Sequence, residues 1–369
     1  MTRRVFLLNG LAILAVVCNH AAGWGFTAMF WWTHRYRPVS SPNFDQLGTL
    51  PYYGLLVVKQ LTVFSVPAFL FVSGFFVAYA ARGSQSTLNW KMVRRRITNL
   101  FVPYIIWSLV IFSGDFLQGI TYAPTEYLKR VAFGGATPAY FYVPLLFQFY
   151  LLSPLVVPIA KTRGGLLLFV SALVQLGVMS LQYLNLFGAN TPGLDQMTPT
   201  VPCWLFVKWA FFLAFGIVSG FHLQQLKQWL ARLKWALLVA VIVLGSLAIL
   251  EPEVIYRSTR EDWRGGPCTI SASLYAVTFV LCFLAFDKVS IPFSRTIHQL
   301  GSKTYGIYLL HAKVLEFVTR LIYHIAPWIL VHQLLYQPLL IVFAVGGSVL
   351  FMTAVARSPA RRSYRYLFG

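Results

Sequence analysis

Charge is scarce in this 369-residue chain: Asp, Glu, Lys and Arg together make up 11% of it, and only ten residues are acidic. A soluble domain carries about 25% charged residues, so a water-exposed globule is excluded. With 58% hydrophobic residues and a mean hydropathy of +0.67, the chain reads as an integral membrane protein. Long polar stretches are missing too. None reaches about 25 residues, short for a core-forming soluble unit, so one membrane domain over 1–369 is expected, with no fused soluble domain. Cysteine is limited to Cys18, Cys203, Cys268 and Cys282. None forms a Cys-x-x-Cys pair, which argues against zinc, and no metal is expected. The phosphate-binding loop Gly-x-x-x-x-Gly-Lys-[Ser/Thr] is absent, as are His-Glu-x-x-His, Gly-x-Ser-x-Gly and Gly-x-Gly-x-x-Gly. ATPases, zinc metalloproteases and ordinary serine hydrolases therefore fall away.

What the chain does have is apolar runs. Ten segments, about 5–27, 58–81, 100–120, 139–160, 164–187, 201–224, 235–251, 268–286, 303–325 and 334–356, are long enough to cross the hydrocarbon core as helices. The expected fold is all-α, a polytopic membrane bundle of about ten transmembrane helices. The first run is too long for a signal-peptide core and is followed by no clean cleavage site, so it is expected to stay as a span. Aromatic residues at 17% suit interfacial belts and a lined cavity.

The basic residues set the orientation. With ten spans, nineteen Lys and Arg fall on the side shared by the two termini, among them Arg3, Arg4, Arg94, Arg95, Arg96 and Arg361. Seven fall on the other side: Arg35, Arg37, Lys129, Arg130, Arg257, Arg260 and Arg264. The positive-inside rule then puts both termini in the cytoplasm. The formal charge of +20 belongs to span ends that face anionic lipid, so no nucleic-acid partner is expected. One outer loop, "EPEVIYRSTREDWRGGPC" (251–268), holds Glu251, Glu253, Glu261 and Asp262 with three arginines and Trp263. It reads either as a solvated loop with local ion pairs or as a surface that contacts sugar.

A few polar groups sit inside the oily helices. His20, in "LNGLAILAVVCNHAAGWG", is costly there, so it reads as a site facing protein or as a neutral imidazole bonded to a carbonyl. Ser73 and Gly74 in "VPAFLFVSGFFVAY" suit close helix approach. In "YGIYLLHAKVLEF", residues 308, 311 and 315 share a helical face, so Tyr308 and His311 can converge on one cavity, while Glu316 and Arg320 can pair four apart. The block "WKMVRRRITNLFVPYIIW" begins a span on the cytoplasmic side and serves either topology and lipid or a phosphorylated ligand, whose oxygens the arginine fork matches. His20 lies about 22 Å above the inner end of its span, in the outer half of the membrane. A long thin donor such as acyl-coenzyme A, gripped by its phosphates inside, could reach it.

The ordered blocks "NGLAILAVVCNH", "VPAFLFVSGFFVAY", "RRRITNLFVPYIIW", "YFYVPLLFQFYLLSPL" and "LGSKTYGIYLLH" resemble the bacterial acyltransferase family 3, membrane O-acyltransferases that modify surface sugars. The resemblance implies an acyl group, acetyl by default, carried from cytoplasmic acyl-coenzyme A as co-substrate to a hydroxyl of a surface or periplasmic carbohydrate. It implies the bacterial inner (cytoplasmic) membrane as the location and membrane lipid as the surroundings. No bound cofactor is implied. His20 matches the family histidine, and Arg95 and Arg96, with Arg94 beside them, match arginines that handle the donor. Asn9, Ser73, Tyr305, Tyr308 and His311 are expected to line the cavity. Two departures stand out: Asn9 replaces a usual Arg or Lys, and Thr98 and Asn99 replace a second basic residue. Either Arg3, Arg4 or Arg94 substitutes for these charges, or donor handling is altered.

Chemically, an alcohol attacks a thioester slowly unless its proton is taken, and a neutral imidazole is suited to take it. His20 is expected to act as this base, with an acyl-histidine as the less favoured route. The alternative from another class is a transporter or flippase of a polysaccharide or lipid-linked sugar, which two intramembrane histidines and buried Lys208 and Lys313 would also suit. An enzyme would release coenzyme A thiol; a transporter would not.

Overall fold

Apolar runs that have no water for their amides must close hydrogen bonds within themselves, and the chain meets this demand with helices alone. The computed structural model describes residues 2–82, 88–188, 201–259 and 269–369, and among these there is no strand. The helices are α1 (Thr2–Phe30), α2 (Leu50–Leu61), α3 (Ser65–Ala80), α4 (Trp90–Leu117), α5 (Pro124–Phe133), α6 (Tyr142–Thr162) and α7 (Gly164–Gly188). They continue with α8 (Ala210–Phe221), α9 (Leu223–Thr259), α10 (Ile270–Ala285), α11 (Ser294–Ser302), α12 (Thr304–Ile325), α13 (Gln333–Arg357) and the short α14 (Tyr364–Phe368). Seven helical stretches among the described residues are long and apolar enough to cross a membrane: α1, α2 with α3, α4, α6, α7, α9 and α13. The chain is thus an all-α, multi-pass membrane bundle. The expected spans 201–224 and 268–286 correspond to the shorter apolar helices α8 and α10. The span 303–325 is α12, which carries Lys313, Glu316 and Arg320.

The second expected span, 58–81, is really two helices. The apolar run covers Leu50–Ala80, but its ladder breaks at Thr62–Phe64, three residues before Pro67. Proline lacks an N–H, so Pro67 cannot continue the ladder back to the Val63 carbonyl at the break. The carbonyl of Lys59 at the break is taken by side chains instead: Asn19 Nδ2 donates to it at 2.9 Å and Thr62 Oγ1 at 3.0 Å. Asn19 also bonds Thr62 Oγ1 at 3.1 Å. The break is therefore pinned to α1 one residue before His20.

Helix α9 is longer than its expected span of 235–251. Its 37 residues extend to about 55 Å at 1.5 Å per residue, well beyond a hydrocarbon core of about 30 Å. The first half of the expected loop 251–268 is consequently helical. Its acids act as braces: Glu253 accepts from Tyr52 Oη at 2.9 Å and pairs with Arg257 at 2.9 Å. Glu251 accepts from the hydroxyls of Tyr183 and Ser271 and from Ser271 N. Arg260, Glu261, Asp262, Trp263, Arg264 and Cys268 lie outside the described residues.

Small residues bring the central helices together. A Cβ added at Gly216 on α8 would fall on the Phe71 carbonyl of α3, and one at Gly74 on α3 would fall on the Leu213 carbonyl of α8. Gly74 thus serves the close helix approach that "SGFF" suggests. At the end of the bundle that holds Thr2, α11 lies along α1, with Gly10 against the Ile297 carbonyl and Gly301 against that of Phe6. The tail returns to the same end: Trp107 Nε1 donates to the Leu367 carbonyl at 2.9 Å, Arg365 to Asn99 Oδ1 at 2.9 Å, and Phe368 is buried beside Trp107 and Phe351.

Because backbone atoms cannot step aside, Gly216→Ala is expected to cost about 1–3 kcal/mol through overpacking. Gly177→Ala, whose Cβ would meet nothing within 4 Å, is expected to be neutral or stabilising by up to about 1 kcal/mol. Thermal unfolding in detergent micelles distinguishes the two; equal melting temperatures would contradict the close α3–α8 contact.

Candidate active site

Residues 20, 23, 24 and 27 recur at helical spacing, so α1 turns His20, Gly23, Trp24 and Thr27 to one side. They line a cavity of about 350 Å³ whose other walls are Ala136–Ala139 and, on α12, Ala312, Lys313 and Glu316. The 136–139 wall follows α5, which ends at Gly134 in the left-handed conformation (φ 75°). A Cβ there would meet the Tyr140 carbonyl and the Phe141 backbone, so glycine is what lets the chain fold back over the cavity. Charges at the cavity edge are mutually paired. Lys313 Nζ lies 3.6 Å from Asp115 and 2.8 Å from Glu316, and Glu316 also pairs with Arg320 at 3.1 Å.

Behind His20 lies His311. The two rings are 5.2 Å apart between centroids and tilted by 53°. His311 is fully buried, and its Nδ1 lies 2.7 Å from the Tyr308 carbonyl and 3.2 Å from that of Ile307. Its Nε2 has no hydrogen-bond partner among the described residues. Tyrosines fill the space beyond. Tyr308 packs 5.9 Å from His311 and 5.7 Å from Tyr142, and Tyr305 stacks on Tyr308 at 6.3 Å. Each tyrosine ties two elements together. Tyr308 Oη donates to the Ala139 carbonyl, Tyr140 Oη to that of Leu309 at 2.8 Å, and Tyr305 Oη to that of Leu100 at 2.5 Å.

The arginines stand at the other end of α4. Asn89 caps that helix by accepting from Lys91 N at 2.9 Å, which places Arg94, Arg95 and Arg96 in its first turns. Arg94 and Arg95 are exposed. Arg96 turns inward, donates to the Phe76 carbonyl at 3.2 Å and lies 5.5 Å over the Tyr150 ring. Tyr305, Tyr308 and His311, three residues apart along α12, lead from the Leu100 level of α4 up to His20.

The structure places Tyr308 and His311 on one face, as the helical spacing predicts, and packs that face against His20, with Tyr305 one turn further in. Of the residues expected at the cavity only His20 is on its wall; Tyr305, Tyr308 and His311 stand behind it. Further expectations change. Asn9 is not at the cavity: its Nδ2 donates to the Gly301 carbonyl at 2.9 Å and to Thr304 Oγ1 at 3.1 Å, holding α1 to the junction of α11 and α12. Ser73 is not on the cavity wall either. Arg4 is no substitute for a missing donor-side charge. It is buried and donates to the carbonyls of Phe283 (3.2 Å), Val289 (3.0 Å) and Phe286 (2.5 Å), closing the end of α10. Lys208 and Lys313, which suited a transport path, have local partners: Lys208 donates to the Val201 carbonyl at 3.3 Å, and Lys313 sits between its carboxylates. Sequence reasoning missed Trp24, Thr27, Asp115 and the 136–139 wall. The first two share the His20 face and could have been found; the last two carry no local signal. Among the described residues no group of three or more His, Cys, Asp and Glu is placed to hold a metal.

Comparison with known proteins adds three findings. The family model described as "Acyltransferase domain" matches residues 7–353. The protein YfiQ of Bacillus subtilis (strain 168), which carries the provisional name of a membrane-bound acyltransferase, is 24% identical over 269 residues, covering 69% of this chain and 68% of its own. No solved structure matches the chain.

Arg4→Lys keeps the charge but cannot reproduce the three-carbonyl fork. It is expected to lower stability by about 1–3 kcal/mol, read as a fall in melting temperature. Arg3→Lys, at an exposed position, is expected to leave melting unchanged.

Proposed function

The chain belongs to this acyltransferase family, and on that premise we propose that it moves an acyl group, acetyl by default, from cytoplasmic acyl-coenzyme A to a hydroxyl of a surface or periplasmic carbohydrate. The reading places the protein in the bacterial cytoplasmic membrane with both termini inside, and gives the base role to His20. One observation carries it: a half-buried histidine on the wall of a cavity, opposite a row of arginines at the far end of the same bundle. Both ends of the described chain lie at the arginine end, as Arg365 on Asn99 and Asn9 on Thr304 attest. That agrees with an even number of crossings and with the excess of Lys and Arg there.

In this reading the donor's phosphates meet the exposed Arg94 and Arg95, each able to make charge-assisted forks. Arg96, already bonded inward, fixes the start of α4 against α3 and α6. The acyl thioester reaches the His20 cavity along the tyrosine stripe of α12. The acceptor enters from the opposite side, between Trp24 and the 136–139 wall. Imidazole takes the hydroxyl proton as the oxygen attacks the thioester carbon.

Thiol release from acetyl-coenzyme A by purified protein with a host glycan extract tests the reading. His20→Ala is expected to lower the rate about 10²- to 10⁴-fold, the usual contribution of a general base, with its melting temperature unchanged. Thiol release that is absent in the wild type, or equal in both proteins, would overturn the reading. Arg94→Gln with Arg95→Gln is expected to raise the KM for acetyl-coenzyme A about tenfold or more, at about 1.5–3 kcal/mol per charged hydrogen bond, with kcat little changed. A kcat loss at unchanged KM would remove these two residues from donor binding.

A further inference from the structure

The buried histidine behind His20 has a hydrogen-bonding pattern that constrains its protons. A carbonyl oxygen can only accept, so the 2.7 Å contact between His311 Nδ1 and the Tyr308 carbonyl requires the hydrogen on Nδ1. In the neutral ring Nε2 is then a bare acceptor. That nitrogen is fully enclosed and has no partner among the described residues. A buried polar atom left unpaired is costly and calls for an explanation in function. The ring nearest to it on α1 is His20, 5.2 Å away between centroids. At that separation, ring atoms on facing edges stand about 3 Å apart, the length of a hydrogen bond. The bond is not made in the observed orientation, so forming it requires the His20 ring to turn. Catalytic hydrogen bonds often tighten only when substrate is bound.

We propose that His311 is the positioning residue of the reaction: its Nε2 accepts the N–H of His20, so that the other nitrogen of His20 presents its lone pair to the cavity. This rests on the acyltransferase reading above. Tyr308 supports the pair twice, since its carbonyl sets the His311 tautomer and its hydroxyl, bonded to the Ala139 carbonyl, holds α12 against the cavity wall. The arrangement does with two imidazoles what a carboxylate does for the histidine of a hydrolytic triad, orienting the base and choosing its tautomer. The charges nearest the cavity on α12 and α4 are committed to one another as Asp115, Lys313, Glu316 and Arg320.

The balance of the step is simple. The acceptor O–H loses its proton to the free nitrogen of His20 while the oxygen forms a bond to the thioester carbon. Collapse of the tetrahedral adduct breaks the carbon–sulfur bond. The departing sulfur takes the proton from His20, which returns to its starting tautomer. His311 neither gains nor loses a proton over the cycle, and the N–H it accepts strengthens while His20 carries the extra charge.

The test compares full-length wild type with His311→Leu and His311→Gln in detergent, using acetyl-coenzyme A with the glycan extract and scoring thiol release and melting temperature together. Glutamine carries an acceptor oxygen at nearly the reach of Nε2; leucine has none. His311→Leu is expected to lower kcat about 10- to 100-fold with the KM for acetyl-coenzyme A within twofold, and His311→Gln to recover at least a third of the wild-type kcat. Leucine at wild-type kcat, or both variants equally impaired while folded, would overturn the proposal. If the leucine variant does not fold, glutamine alone decides, and a kcat as low as that of His20→Ala overturns it. A readout independent of turnover is the nitrogen spectrum of protein labelled in its histidine rings. With acetyl-coenzyme A and the glycan extract present, one ring N–H hydrogen-bonded to a ring nitrogen is expected in the wild type and lost in both His20→Ala and His311→Gln; its absence in the wild type under these conditions overturns the pair. If the wild type releases no thiol but shows this signal, the acyltransferase reading fails while the pairing stands.

Discussion

Inside hydrocarbon, a carbonyl released by a broken or ended helix has no water to turn to, and the bundle depends on side chains that reach across to such groups. Asn19 takes the Lys59 carbonyl where α2 gives way to α3, Asn9 takes that of Gly301 between α11 and α12, and Arg4 gathers three at the end of α10. The tyrosines of the core also reach across to carbonyls, those of Leu309 and Leu100 within helices and that of Ala139 in the turn before α6. Each bond joins elements distant in sequence, so satisfying the backbone and fixing the tertiary arrangement are one operation. His20 and His311 stand among these braces: Asn19 precedes the first, and Tyr308 holds the second. These braces fix the helices that carry the two histidines, so the rings meet although His311 Nε2 keeps no partner among the described residues.

The same constraint separates the two ends of the bundle. Exposed arginines at the start of α4 can meet phosphate in water, while the cavity by His20 keeps its edge charges paired with one another. Between them runs the α12 stripe of Tyr305, Tyr308 and His311, with polar tips tied to backbone and ring faces stacked. Within this stripe Tyr305 and Tyr308 commit their hydroxyls to the Leu100 and Ala139 carbonyls, so its polar tips are already satisfied.

Much of this was legible before any coordinate. Each of the ten apolar runs holds helix among the described residues, because hydrophobic length needs no knowledge of neighbours, although 58–81 is divided between two. Tyr308 and His311 were placed on one face by helical spacing alone, and Glu316 and Arg320 were paired by the same rule. Other features were not legible, for physical reasons that differ. The α2–α3 break was hidden because Pro67 can sit in the first turn of a helix as well as interrupt one, and Asn19 settled the matter from another element. The helical part of the loop at 251–259 was obscured by its charges, whose partners Tyr52 and Tyr183 lie far away in the sequence. The parts played by Arg4, one of three candidates for a missing charge, and by Asn9 stayed hidden because a cation or amide near a span end serves a ligand, a lipid or a helix end equally well on paper.

By itself, the sequence determined that the chain lives in a membrane and that it is helical, since these follow from composition and from the hydrogen-bonding demand of lipid. It also singled out His20, because an imidazole in an apolar run is costly wherever the run is placed. Only the tertiary structure decided what His20 faces. The cavity draws its walls from α1, α12 and the turn after α5, and His311 meets His20 across a gap of 291 residues. No local pattern encodes such a meeting, because it depends on which helices pack together and on the carbonyls their ends leave to be satisfied.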